Sequence, residues 1–106
     1  EFDAYEGNSA QKHLRPVARQ PLETMKTALA EQEEWTREAL HLTVVQVSER
    51  LQLNMGKVAQ PLRVAVVGRA ASPGIDETLY LVGQKACLRR IDMALAYITA
   101  RETAST

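Results

Sequence analysis

Residues 57–68 read KVAQPLRVAVVG, and the conformation of this stretch decides the fold class of the protein. The β-branched valines toward its end favour a strand by local propensity. A strand needs a partner, however, and the only other candidate, residues 43–47, lies inside a strong helical pattern. We therefore predict a buried helix over residues 57–67, with Pro61 near its first turn and Gly68 at its end.

The helix upstream of this stretch has the best-defined start in the sequence. Thr36 is a good N-cap residue, and Glu38 places an acidic side chain in the first turn. An apolar stripe follows at steps of four, three and four residues, formed by Leu40, Val44, Val47 and Leu51. We expect this helix to end near residues 54–56, where Asn54 or Gly56 can take a positive φ.

The remaining segments also have helical periodicity. Ser9 is expected to cap a short helix that the Arg15-Pro16 step ends, and a second helix is expected over residues 21–31. Two more helices are expected, one capped by Ser72 with Pro73 at its first position and one from about Gln84 to Ala100. The polar ends, residues 1–8 and 101–106, are expected to be flexible. The prediction is an all-α fold, a single compact domain of five to six helices.

The length and composition define the broad class of the protein. With 106 residues, 45% of them hydrophobic and 25% charged, the chain fits one globular domain over residues 1–106. No stretch reaches the ~18 apolar residues of a membrane span. A single cysteine excludes an internal disulfide and a cysteine-rich zinc site, and it favours a reducing cytoplasm. Because the sequence starts with Glu1 rather than Met, we expect it to be a fragment of a longer protein.

The net charge of zero conceals an uneven distribution along the chain. Residues 1–56 carry six Lys/Arg against nine Asp/Glu, whereas residues 57–101 carry seven against three. A neutral protein with this distribution can present a basic face to nucleic acid, because only the local field acts on a phosphate. Ordinary solvated charge explains the same asymmetry, and by itself the asymmetry does not decide between the two interpretations.

The sequence has no constellation of catalytic residues. His13 and His41 are far apart, and Cys87 lies between apolar residues on an expected helix, which favours an inert core position. Asp76 and Glu77 suit a helix start rather than a separated acid–base pair, and no glycine-rich phosphate loop is present. We therefore expect no catalytic residue, no metal site and no cofactor in this segment.

Residues 56–95 contain an ordered series of short motifs. They are Gly56-Lys57, Gln60-Pro61-Leu62-Arg63, Gly68, Ser72-Pro73-Gly74-Ile75 and Leu81-Val82-Gly83, with His13-Leu14-Arg15-Pro16 and Glu34-Trp35 upstream. This series resembles the C-terminal anticodon-binding domain of bacterial glutamyl-tRNA synthetases, over roughly residues 12–98. The resemblance implies a helical domain of a class I aminoacyl-tRNA synthetase, which ligates glutamate to tRNA(Glu) with ATP and Mg. Neither signature motif of the catalytic domain, HIGH-like or KMSKS-like, occurs here, so the segment is expected to bind tRNA without catalysis.

The resemblance also implies roles for particular residues. Arg63 matches an arginine that contacts anticodon bases, while Ser72, Pro73 and Ile75 match the turn and helix start against which unstacked bases lie. We expect Arg69 to hold a nearby phosphate. These residue types suit the task, because specific RNA recognition favours splayed single strands, and arginine offers a planar set of donors that can also stack.

Partners and alternatives follow from the same comparison. The expected partners are the anticodon loop of tRNA(Glu) and the catalytic domain of the same parent chain, with no DNA and no membrane; the expected state is a cytoplasmic monomer. Lys85, Arg89 and Arg90 form a basic helix start that is a candidate for contact with the anticodon stem. The main alternative is a helical protein-interaction module with no RNA role. A helix-turn-helix DNA-binding domain is disfavoured, because no short turn introduces a polar recognition helix.

Overall fold

A computed structural model describes residues 9–69 and 74–104, and within these ranges the protein is entirely helical. The elements are α1 (Ser9–His13), a 3-10 turn (Pro16–Ala18), α2 (Arg19–Ala30), α3 (Arg37–Leu51), α4 (Met55–Val67), α5 (Ile75–Val82) and α6 (Gln84–Ala104). The described part contains six α-helices and no strand, so the predicted fold class is confirmed. The predicted Ser72 cap and Pro73 lie outside the described residues, and Gly74 is the residue that precedes α5.

Helix α4 lies at the centre of the fold and packs against α1, the 3-10 turn, α2, α3, α5 and α6. Its buried residues are Val58, Ala59, Pro61, Leu62, Val64, Ala65 and Val66. This confirms the helix predicted over residues 57–67, and tertiary burial therefore outweighs the strand propensity of the valines. Pro61 lies in the helix interior rather than near the first turn, and it removes the N–H that would bond to the carbonyl of Lys57.

The junction between α3 and α4 differs from the prediction. Thr36 caps α3 as expected, since its Oγ1 accepts a hydrogen bond from Ala39 N at 3.1 Å. The predicted end of α3 at residues 54–56 is wrong, because Gln52 takes the left-handed conformation (φ 57°) and ends the helix earlier. Asn54 instead begins α4, and its Oδ1 accepts from Lys57 N at 3.1 Å.

The C-terminal helix is longer than predicted. α6 continues to Ala104, and the side chain of Arg101 explains the extra turn. Its Nη1 donates to the carbonyl oxygens of Ala10 (3.3 Å), Gln11 (3.0 Å) and Leu14 (2.9 Å). A guanidinium thus caps the end of α1, where the carbonyl of Ala10 also accepts from Leu14 N at 2.8 Å. Residues 101–104 are therefore helical rather than a flexible tail.

Side-chain to main-chain hydrogen bonds also fix α5 and α6 against the N-terminal half. Trp35 Nε1 donates to the carbonyl of Leu79 in α5 at 3.1 Å. Gln84 Nε2, at the start of α6, donates to the carbonyls of Leu29 at 2.8 Å and Gln32 at 3.1 Å. The two bonds from Gln84 satisfy carbonyl groups near the end of α2. Together with the bond from Trp35, they hold the α5–α6 pair in place beside α4.

Candidate nucleic-acid interface

Beyond its first turn, where Lys57 is also exposed, α4 reaches solvent along one stripe. Gly56, Gln60, Arg63 and Val67 recur at steps of four, three and four residues, so they lie on one face of the helix. Each of them is exposed or half-buried, whereas most of the remaining helix belongs to the core. A polar residue on this stripe is therefore held by a rigid and almost completely surrounded helix, which suits a site that must present a side chain in a fixed position.

Arg63 is the only charged residue of this stripe. Its side chain is half-buried, and its Nε is buried without a hydrogen-bond partner among the described residues. No carboxylate of the described part of the chain forms a salt bridge with it. The guanidinium is thus not consumed by an internal ion pair, and it can donate to a ligand. A buried donor that lacks a partner is costly in free energy, so a bound acceptor would relieve that cost.

Helix α4 ends just before Arg69, the second predicted cationic contact. Gly68 adopts a left-handed conformation (φ 82°), and its N–H bonds to the carbonyl of Val64 at 2.9 Å. Arg69 follows directly, and its side chain is exposed. The structure therefore places Arg63 on the C-terminal half of α4 and Arg69 in the turn that leaves it.

The other predicted contacts lie on the far side of the turn. Ser72 and Pro73 are outside the described residues, so their positions stay predictions. Ile75 is the first residue of α5 and is only 5% exposed, because it packs into the core. It anchors the helix start more than it offers a surface. Gly74, next to it, is exposed.

Acidic residues border the α5 side of this region. An open hollow of about 720 Å³ next to Gly74 is lined by Glu38, Asp76 and Glu77, together with Arg37, His41 and Leu42. Arg37 Nη1 contacts Glu77 Oε1 at 3.2 Å, which neutralises part of this charge. Because the carboxylates repel phosphate, a nucleic-acid strand should approach Arg63 and Arg69 from the α4 side.

The basic start of α6 divides into two kinds of residue. Lys85 and Arg89 are exposed. Arg90 is half-buried, and its Nη1 donates to the carbonyl of Val66 at 2.8 Å, near the C-terminal end of α4. Arg90 therefore has a structural role in the described fold, which differs from the surface role that its sequence position suggested.

The fold also assembles a cationic pocket that the sequence analysis did not find. Lys12, Arg15 and Lys57 line it, with Gln60 from the α4 stripe and Pro61 beside it. Its volume is about 270 Å³. More than 40 residues separate Lys57 from the other two cations, and only the packing of α1 and the 3-10 turn against α4 brings them together. No local sequence signal marks such a pocket.

The described part of the chain contains no group of three or more His, Cys, Asp or Glu residues that could hold a metal ion. None of its helices has the length and apolar character needed to cross a bilayer. Cys87 is fully buried, and burial raises the pKa of its thiol to about 12, which makes it an inert core residue.

Comparison with known proteins links this geometry to a family. The family model described as "Anticodon binding domain" matches residues 1–95. Among solved structures, the chain is similar to a glutamate tRNA ligase from Elizabethkingia meningosepticum, with 21% identity and a TM-score of 0.83, over 92% of this chain and 19% of that one. It is also similar to the glutamate-tRNA synthetase of Elizabethkingia anophelis, with 23% identity and a TM-score of 0.74, over 90% of this chain and 18% of that one. The chain thus spans about a fifth of the length of either structure, and the likeness shows a common fold.

Proposed function

Because this chain belongs to the anticodon-binding-domain family, we propose that it binds the anticodon loop of tRNA(Glu) as one part of a glutamate–tRNA ligase. In this proposal a separate part of the parent protein, its catalytic domain, carries out the ATP- and Mg-dependent ligation. The domain described here contributes recognition alone, in a cytoplasmic and monomeric enzyme. Support for glutamate as the amino acid comes from the motif series of residues 56–95 and from the fold shared with two glutamate–tRNA ligases.

The observation that carries the proposal is the placement of Arg63. It lies on the solvent-reaching stripe of the central helix, outside any salt bridge with the described residues, and its Nε has no partner there. Arginine can donate two parallel hydrogen bonds to the edge of a base, or stack on its face. Rigid support from α4 means that little side-chain or backbone ordering is needed when a base arrives.

Arg69 and the turn that follows complete the proposed surface. Arg69, exposed just past the end of α4, is placed to neutralise a phosphate next to the base that Arg63 contacts. Ser72 and Pro73 are proposed to contact unstacked bases through the helix start that they precede. Ile75 is proposed to hold that helix start in the core, with a small part of its side chain left for contact.

Titration with RNA tests this proposal directly. The isotopically labelled chain is titrated with a tRNA(Glu) anticodon stem-loop and, separately, with a stem-loop of the same stem and a scrambled anticodon. We expect amide shifts concentrated at residues 63–75 and larger for the cognate loop. Equal shifts and equal affinities for the two loops would reduce the interaction to unspecific phosphate attraction and refute the anticodon proposal.

A further inference from the structure

The cationic pocket lies at the opposite end of the α4 stripe from Arg69. Its ionisable residues come from three places. Lys12 and His13 belong to α1, Arg15 precedes the 3-10 turn, and Lys57 lies in the first half of α4. Apolar residues complete the lining, namely Val17, Ala18, Pro21, Leu53 and Pro61. The pocket is therefore a cleft with a partly apolar surface and several cations.

The charge of this pocket is uncompensated within the described part of the chain. Lys12, Arg15 and Lys57 are all exposed, and none of them forms a salt bridge with a described carboxylate. No Asp or Glu among the described residues lines the pocket. Some cations elsewhere in the fold are paired: Arg19 contacts Glu102, and Lys26 contacts Asp92. Three like charges around one cleft repel one another, so an anion is the ligand class that the cleft favours.

Gln60 indicates what kind of anion fits. It lines the pocket, and its Oε1 is buried without a hydrogen-bond partner among the described residues. A carbonyl oxygen accepts hydrogen bonds and cannot receive one from a deprotonated phosphate. A ribose hydroxyl or a base amino group can donate to it once the amide rotates toward the cleft, because Oε1 is shielded from solvent in this fold. The combination of cations with one unused acceptor therefore fits a nucleotide better than a free inorganic anion.

We propose that the cleft formed by Lys12, Arg15, Lys57 and Gln60 binds a backbone phosphate and the attached nucleoside of an RNA strand. The identity of the strand rests on the proposed function, since the same α4 stripe continues from Gln60 to Arg63. The anion preference of the pocket does not rest on the proposed function, because it follows from the residues that line the pocket. In this proposal α4 carries a phosphate contact at Lys57 and a base contact at Arg63, nearly two turns later.

The phosphate contact should be independent of RNA sequence. A cation that neutralises a phosphate releases counterions, and the affinity then falls with salt concentration by a slope of about 0.7 per contact for single strands. Replacing one cation should lower the affinity for RNA by roughly threefold at moderate salt, and complete loss of the phosphate contact should reduce that slope by about 0.7. Replacing all three should lower the affinity by roughly tenfold or more.

The test uses the whole 106-residue chain and two probes: inorganic phosphate, and a single-stranded oligouridylate of about seven nucleotides. The triple variant K12Q/R15Q/K57Q and the single variant R15Q are compared with R50Q, which matches the single loss of charge. Arg50 is an exposed arginine in a hollow shared with Glu23 and Glu31. Because all four replaced side chains are exposed, we expect the variants to stay folded, and a circular dichroism spectrum checks this. Binding is followed by the ring resonances of His13, a residue of the pocket.

Support for the proposal requires three results together. The oligouridylate shifts the His13 resonances saturably, it binds more tightly than inorganic phosphate at equal ionic strength, and the triple variant weakens binding roughly tenfold while R50Q does not. The proposal is overturned if chloride alone gives the same shifts, if inorganic phosphate binds and the oligouridylate does not, or if the triple variant binds RNA as the original chain does.

Failure of this inference can be separated from failure of the anticodon proposal. Loss of the pocket cations should weaken the cognate and scrambled stem-loops by the same factor, which leaves their affinity ratio unchanged. If Arg63 does not contact anticodon bases, the ratio between the two loops is close to one in the original chain. The affinity for oligouridylate is then unaffected, because that probe has no anticodon.

Discussion

Two sides of the molecule use their cations in opposite ways. On the α6 side, Arg90 and Arg101 donate to main-chain carbonyls and close the ends of neighbouring helices. On the α1–α4 side, Lys12, Arg15 and Lys57 have no partner among the described carboxylates. The difference shows that a neutral chain can hold a basic surface, because some of its positive charges are used for packing and others are left available for a ligand.

The largest expected effect concerns the reactivity of Cys87, which is buried on the α6 side, close to Arg90. The arginine favours the thiolate, but burial dominates and raises the pKa of the thiol to about 12. At pH 8 we expect labelling by iodoacetamide to be slower than for an exposed cysteine by about a thousandfold, in line with the tenfold effect of each pKa unit. Fast labelling of the native chain, at the rate seen in denaturant, would show that the α6 side is open.

Replacement of Arg101 by methionine should produce the next largest effect. The change keeps an unbranched side chain but removes the donor that serves the carbonyls of Ala10, Gln11 and Leu14. We expect a loss of about 2 kcal/mol in the free energy of unfolding, measured by urea denaturation, because hydrogen bonds from a charged donor contribute on that scale. The matched control Lys57→Met should change it by less than about 0.5 kcal/mol. Equal effects of the two variants would contradict the comparison between the sides.

Arg90→Met should have a smaller effect of the same kind. It leaves the carbonyl of Val66 without the 2.8 Å bond from α6, near the end of α4. We expect a loss of about 1–2 kcal/mol in unfolding free energy. Hydrogen exchange should show the loosening at the end of α4, around Gly68, while amides at the start of that helix keep their protection. Unchanged exchange at Gly68 would mean that Arg90 is a surface cation after all.

The smallest effect concerns the pH dependence of stability and of RNA affinity, and it tests the α1–α4 side. Desolvation by burial, and then the charges of Lys12 and Arg15, lower the pKa of His13 below its ordinary value of 6.5. The unfolded chain then binds more protons than the folded chain just below pH 6.5, so stability contributed by His13 is present above that pH and decreases as the pH falls. Lys57 is the further charged residue that lines the same pocket.

Protonation of His13 also adds a cation to the pocket. We therefore expect the affinity for oligouridylate to rise modestly between pH 7 and pH 5.5, and the variant His13→Gln to lack this rise. The two variants Lys57→Gln and His13→Gln then separate fixed charge from titrating charge. If the affinity for oligouridylate falls on acidification in both the original chain and His13→Gln, the placement of His13 in an anion pocket is contradicted.

Sequence patterns identified most of the helices because local and tertiary preferences agree there. Thr36 caps α3 as predicted, and Gly68 ends α4 in the left-handed conformation. The α3–α4 junction was mispredicted, since Gln52 adopts a left-handed conformation that glycine and asparagine prefer, and Asn54 serves the following helix. Propensity ranks which residue is favoured at a helix end but does not exclude the others.

The candidate site was predictable only in part, and for a physical reason. The series of motifs in residues 56–95 singles out Arg63, and Arg69 was expected beside it as a phosphate contact. Both lie on or just past α4 with no salt bridge in the described residues. The pocket around Lys12 and Lys57 depends on contacts between distant segments, which no periodicity contains. Likewise, a structural role for Arg101 follows only from where α6 meets α1.

The ratio of affinities for the cognate and scrambled anticodon stem-loops tests the central claim most directly. It is measured for the original chain, for Arg63→Ala and for Lys57→Gln at one salt concentration. We expect a clear preference for the cognate loop in the original chain, a preference reduced by about 1–3 kcal/mol in Arg63→Ala, and an unchanged ratio in Lys57→Gln. A ratio that Arg63→Ala leaves intact would show that the guanidinium on the α4 stripe does not contact the anticodon.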